Sequence, residues 1–126
     1  MRLIGVGTDI VSIPRVEAAL GRRGEAFARR ILHPEEWNAF CASTAPAALL
    51  ARRFAAKEAA AKALGVGLGA DMGLQDARIG SDPRGKPLLQ LSGNGQETAR
   101  RLGVVQMELS LSDEREFALA FVVMSG

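Results

Sequence analysis

Tyrosine is absent from this chain, and cysteine, histidine and tryptophan occur once each, so several routes to function close before any motif is read. A lone Cys41 can form neither an internal disulfide nor a cysteine-based zinc cluster. With five Phe and one Trp as its only aromatic side chains, the chain is poorly equipped to stack on unpaired bases, which argues against single-stranded nucleic acid as a partner. Long apolar runs are also missing. The first one, Leu3 to Val11, is broken by Gly5, Gly7 and Asp9, which excludes a spanning helix there and argues against a signal peptide. What is present is ordinary for a soluble globular protein: 48% hydrophobic and 24% charged residues without a biased tract, too apolar for a disordered chain. The length of 126 residues supports one core and not two. The expectation is a single domain over residues 1–126, cytoplasmic, with one site or with sites completed by further copies.

The net charge is only +2, but it is unevenly spread. Residues 1–64 hold ten Lys or Arg against six acids, and the remainder holds six against eight. The excess lies in Arg15, Arg22, Arg23, Arg29, Arg30, Arg52 and Arg53. Such a patch recruits nucleic acid, a membrane surface or an acidic protein, or simply solvates helix surfaces.

Local rules give an alternation of helices and strands. A strand over Arg2–Val11 turns at Ser12-Ile13-Pro14 into a helix over Arg15–Gly21, with Ser12 as N-cap and Pro14 in the first turn. Helix resumes over Glu25–Leu32, His33-Pro34 breaks it, and Glu35–Cys41 forms another. The alanine-rich stretch Ala45–Leu64 predicts the longest helix, ending at Gly65 where a left-handed residue is wanted. Beyond the glycine passage 65–73, strands are predicted over Leu74–Gly80 and Pro87–Leu91 around the turn Ser81–Gly85. A helix over Asn94–Leu102 and a closing hairpin, Val105–Leu111 with Glu116–Met124, complete the chain.

Two acids stand out against this layout. Alternation puts Leu3, Gly5, Gly7, Asp9 and Val11 on one face of the first strand. Glycine in a strand marks a place where a ligand or another backbone must come close, so a carboxylate beside Gly5 and Gly7 suggests a cleft. The alternative is that Asp9 caps the following helix. In the long helix, Leu50, Phe54, Glu58, Ala61 and Lys62 fall along one side, so an acid and a base continue an apolar stripe. They form either a surface Glu-to-Lys pair worth about 0.2–0.5 kcal/mol or part of a site. A magnesium ion on a phosphate ligand needs only one or two protein carboxylates. Asp9 and Glu58 can supply them, with Lys62 one turn away to neutralise phosphate charge.

Gly7-Thr8-Asp9-Ile10-Val11, Arg52-Arg53-Phe54-Ala55-Ala56-Lys57-Glu58-Ala59 and Lys62-Ala63-Leu64-Gly65 together resemble the signatures of holo-acyl-carrier-protein synthases, bacterial members of the phosphopantetheinyl transferase family. Phe27–Leu32, Gly85-Lys86-Pro87 and the late hairpin Leu109–Asp113 with Phe117–Ala120 extend the likeness along the chain in the same order. The resemblance implies an α+β fold, helices packed on an antiparallel sheet in the manner of 4'-phosphopantetheinyl transferases. It implies magnesium as cofactor, held by Asp9 and Glu58, and coenzyme A as substrate, contacted by Lys62, Gly65, Lys86, Pro87 and Ser112. Glu58 and Lys62 would be catalytic, and Arg15, Arg22, Arg23 and Arg29 would meet acyl carrier protein, an acidic protein substrate. No nucleic acid or membrane is implied. A homotrimer with sites between subunits is, and the last strand, apolar on both faces, is the expected contact. Fatty acid biosynthesis would be served. One departure is visible, since many relatives carry histidine where this chain has Asp113. His33, beside Pro34, reads as a helix start and not as its substitute. A reading from another class is a non-catalytic basic module that keeps the fold without the reaction; it would tolerate the loss of Asp9 and Glu58.

Overall fold

A computed structural model describes all residues, Met1–Gly126. The elements run β1 (Leu3–Ser12), α1 (Ile13–Arg23), α2 (Glu25–Ile31), a 3-10 turn (Pro34–Glu36), α3 (Trp37–Ala42), α4 (Pro46–Ala63), a second 3-10 turn (Leu74–Asp76), β2 (Ala77–Ser81), β3 (Pro87–Leu91), α5 (Gly93–Leu102), β4 (Gln106–Glu114) and β5 (Phe117–Ser125). No helix is long and apolar enough to cross a membrane. The fold is α+β as expected, with the antiparallel strands divided into two sheets: β1-β5-β4 and the hairpin β2-β3. The strand expected from Leu74 starts only at Ala77. Asp76 holds the preceding segment in a turn, accepting from the Gly73 amide at 2.8 Å and from the Gly95 amide at 3.1 Å. The helix expected over Glu35–Cys41 opens as a 3-10 turn, where His33 Nδ1 accepts from the Glu35 amide at 3.0 Å.

α4 is the centre of the molecule. It is apolar around most of its circumference because it is covered on both sides. Ala55, Ala56, Ala59, Ala60 and Ala63 pack with Val122, Met124 and Leu109 of the sheet, while Leu50 and Ala51 join Val16, Ala28 and Ile31 of α1 and α2. Small residues here let backbones meet. A Cβ on Gly5 would stand 1.9 Å from the Ala63 carbonyl oxygen, and one on Gly7 1.9 Å from that of Ala59. The cleft expected beside Gly5 and Gly7 is therefore not there: those glycines exist because β1 lies directly on the backbone of α4, and Asp9 emerges where that contact ends. The helix stops as expected, with Gly65 at φ 76°.

β5 alternates cleanly. Ala118, Ala120, Val122 and Met124 are buried against α4, whereas Phe117, Leu119 and Phe121 are 48%, 42% and 41% exposed. Register pairs these with Ser12, Ile10 and Thr8 of β1, and Ile10 is itself exposed. The sheet thus presents an uncovered apolar outer face.

Candidate active site

α1 begins where Ser12 accepts from the Arg15 amide at 3.3 Å, so Ser12, not Asp9, caps the helix and the Asp9 carboxylate is left free for another purpose. Lys62 reaches from the last turn of α4 across to β1. Its ammonium donates to the Thr8 carbonyl at 2.9 Å and to Asp9 Oδ1 at 3.3 Å. The ordinary Glu58-to-Lys62 pair along the helix is not what forms. Asp9 is mostly covered and Lys62 is half exposed, with side-chain exposures of 18% and 53%.

Asp9 and Glu58 open into one groove of about 550 Å³, floored by Val11, Val16, Phe27, Ile31, Phe54 and Leu74 and rimmed by Arg15, Arg23 and Arg30. Burial, and then the negative charge of Asp9, hold the Glu58 carboxyl above the usual carboxylate range, with Lys62 opposing. Two carboxylates thus face the same open groove. Nowhere are three or more His, Cys, Asp or Glu gathered into a metal-holding group. The residues therefore fit a hard divalent ion that takes two protein oxygens and completes its shell with water and phosphate, and do not fit an all-protein cage.

Of the residues named from sequence, this groove gathers Asp9, Glu58, Arg15 and Arg23. Arg22 is exposed outside it, and Arg29 lies over the Trp37 ring at 3.8 Å from its centroid. Arg23 stacks on Phe27 at 5.6 Å. Ser112 lines a second depression of about 830 Å³ at the β4-β5 turn, with Ile10, Arg115, Phe117 and Leu119. Gly65, Lys86 and Pro87 line neither. Lys86 projects from the β2-β3 turn and donates to Glu108 at 2.9 Å. Asp113 accepts from Arg52 at 2.8 Å.

Sequence reasoning missed three residues. Arg30 lines the groove, although it sits inside the Phe27–Leu32 segment already singled out. Glu36 and Lys57 are buried and paired at 2.6 Å, and nothing in a helix pattern announces that a charged side chain turns inward.

A family model described as the 4'-phosphopantetheinyl transferase superfamily matches residues 5–122. The holo-[acyl-carrier-protein] synthase of Halorhodospira halophila is 53% identical over 122 residues, 97% of each chain. Among solved structures, the holo-[acyl-carrier-protein] synthase of Neisseria meningitidis is 41% identical, with a TM-score of 0.93 over 98% of this chain and 99% of that one. That of Helicobacter pylori in complex with coenzyme A is 35% identical, with a TM-score of 0.84 over 95% of this chain and 99% of that one.

Proposed function

This chain belongs to the 4'-phosphopantetheinyl transferase superfamily, and on that premise we propose that it is a holo-acyl-carrier-protein synthase: it moves the 4'-phosphopantetheine group of coenzyme A onto a serine of apo-acyl carrier protein and releases adenosine 3',5'-bisphosphate. The observation that carries the reading is the meeting of Asp9, Glu58 and Lys62 at the open end of the β1-α4 contact. Over residues 1–126 the chain acts as one transferase domain, in the cytoplasm and in support of fatty acid biosynthesis.

The reaction transfers a phosphoryl group between oxygens. The serine oxygen forms a bond to the β-phosphorus as the bond from that phosphorus to the bridging oxygen breaks, and negative charge spreads over the phosphoryl oxygens. Magnesium held by Asp9 and Glu58 would clamp those oxygens and neutralise the developing charge. Lys62 adds a fixed positive charge on the same side, already anchored by the Thr8 carbonyl. Glu58, whose burial raises its proton affinity, accepts the serine proton directly or through an ordered water. Phe27, Ile31 and Phe54 line the groove with apolar surface, and a low-polarity wall strengthens charge interactions beside it.

Arg15 and Arg23 on the groove rim, with Arg22 and Arg29 outside it, form the basic face that meets the acidic carrier protein. Such contacts raise the association rate more than the affinity. The outer face of Ile10, Phe117, Leu119 and Phe121 is too apolar to remain in water. A homotrimer would cover it and bring Ser112, Gly65, Lys86 and Pro87 of one copy toward the groove of the next, so that coenzyme A is held between subunits.

The test is transfer itself, read from the mass of the carrier protein after incubation with coenzyme A and magnesium. Transfer that requires the ion and is abolished by Asp9→Ala or Glu58→Ala, with folding retained, is the expected result. A chain that leaves the carrier unmodified, or that keeps its rate without both carboxylates, is a basic binding module or another enzyme.

A further inference from the structure

On its covered side α4 carries a second set of charges that does not line the groove. Lys57 is fully buried. Its ammonium donates to Glu36 Oε1 at 2.6 Å and to the Ile31 carbonyl at 2.7 Å, the latter one of the free acceptors that close α2. Glu36 is 2% exposed. Its Oε1 also accepts from the His33 amide at 2.7 Å, and its Oε2 accepts from the Ile79 amide at 3.0 Å and from Arg53 Nη1 at 3.0 Å. Arg53 donates in turn to the Ile79 carbonyl. Four donors thus occupy the roughly four acceptor sites of one carboxylate. The joined segments are the end of α2, the 3-10 turn, α4 and the start of the β2-β3 hairpin.

Stability alone does not account for such an arrangement. Burial lowers the proton affinity of both Lys57 and Arg53, with Glu36 opposing, and buried ion clusters seldom stabilise a fold more than apolar packing of the same volume. What the cluster supplies is location. Lys57 directly precedes Glu58, and Arg53 directly precedes Phe54. Ile31, whose carbonyl Lys57 holds, lines the same groove as Phe54 and Glu58. Neighbouring residues point about 100° apart around a helix, so fixing Lys57 on the inner side fixes where Glu58 points on the groove side.

We propose that Glu36 is a positioning residue for phosphopantetheine transfer: by holding Lys57 and Arg53 it sets the rotation of α4 and its spacing from α2, and so stands Glu58 over the groove beside Asp9. The inference rests on the transferase reading above. A rotation of about 15° carries a side-chain tip about 5–6 Å from the helix axis through roughly 1.5 Å. A misplacement of about 1 Å at a reacting centre costs on the order of 10²-fold in rate.

The full chain is compared with Glu36→Gln and Lys57→Met. The first keeps the shape of Glu36 but turns a donor toward donors; the second keeps the buried stem and leaves Glu36 with Arg53. Trp37, the sole tryptophan and the residue after Glu36, reports the folded fraction, and kinetics are run below each variant's unfolding midpoint. Expected is a fall in kcat per folded molecule on the order of 10²-fold, with the KM for coenzyme A changed by less than about threefold, the pattern of a lost transition-state interaction. The magnesium-induced rise in melting midpoint should shrink in both variants. Either variant folding and keeping the wild-type kcat makes the cluster a stabilising device only and overturns the proposal. A wild-type chain that transfers nothing fails the transferase reading, and the proposal with it, whereas active wild type beside equally active variants fails the proposal alone.

Discussion

Replacing Gly7 by alanine adds one methyl group, and its consequence follows from two backbones. The new Cβ would stand 1.9 Å from the Ala59 oxygen and 2.8 Å from the Ala63 nitrogen. An ordinary non-bonded contact needs about 3.5 Å, so strand and helix must part by roughly 1.5 Å. Neither side can yield by rotating a side chain, and β1 is tied along its length to β5. The cost belongs at the upper end of overpacking, about 3 kcal/mol, which for a chain of this length lowers the melting midpoint by about 10–15 °C. Activity should fall further than stability explains. Asp9 lies two residues on, and the bonds from Lys62 to Thr8 and Asp9, 2.9 and 3.3 Å, span the gap being widened. A parting of about 1 Å is worth on the order of 10²-fold in rate. The control is the same substitution at Gly21, inside α1 with nothing within 4 Å of an added Cβ, where alanine should stabilise by about 0.5–1 kcal/mol. Melting curves and carrier-modification rates at a temperature where both variants are folded decide the matter. A Gly7→Ala chain that melts within about 2 °C of wild type and transfers at its rate would refute the close-contact argument.

Glu58→Gln should abolish transfer and raise the melting midpoint at neutral pH. The Glu58 carboxyl holds its proton to higher pH in the fold than in the open chain, so its contribution is favourable below the unfolded value and is lost as pH rises through the folded one; calorimetry at two pH values checks the sign. Magnesium should raise the midpoint of the wild type and not that of this variant, and an equal rise in both would remove Glu58 from the ion's ligands. Reversing Arg15 and Arg23 together to Glu should raise the carrier-protein KM at low salt and spare that for coenzyme A, with the effect fading as the screening length falls toward about 8 Å; an unchanged carrier KM would make the rim mere solvated surface. Phe121→Lys, on the uncovered sheet face, should leave the chain folded and lower its mass by sedimentation from that of a trimeric wild type to that of a monomer, and an unaltered mass would refute the covering of this face by another copy.

Much of this architecture is local and was readable as such. Ser12 with Pro14, the alanine run ending at Gly65, and the closing hairpin each depend on neighbours a few residues away, and the structure forms each of them. The glycines of β1 were readable only halfway. Period two tells which face Gly5 and Gly7 share, but whether a ligand or a helix lies opposite depends on α4, far along the chain. The same holds for Leu74–Asp76, where the side chain of Asp76 bonds to an amide of α5 and tertiary demand overrides strand propensity. Glu36 and Lys57 are the extreme case. Each resembles an exposed helix residue in sequence, and only the convergence of α2, α4 and β2 makes them partners. Of the site itself, Asp9, Glu58 and Lys62 emerged because their spacing broke a pattern, and Arg30 did not because arginines in helices break none.

The strand order has a temporal side. β1 has a single strand partner, β5, and Leu3 pairs with Ser125. On a ribosome β1 therefore waits about 5–20 s for its partner to be made, at usual elongation rates. During that interval Asp9 has no fixed place, the sheet side of α4 has no wall to lie on, and the apolar residues of β1 have no sheet to join. Unpaired strands of this kind are templates for unwanted pairing, and the two glycines that let β1 seat on α4 also lower its tendency to pair early.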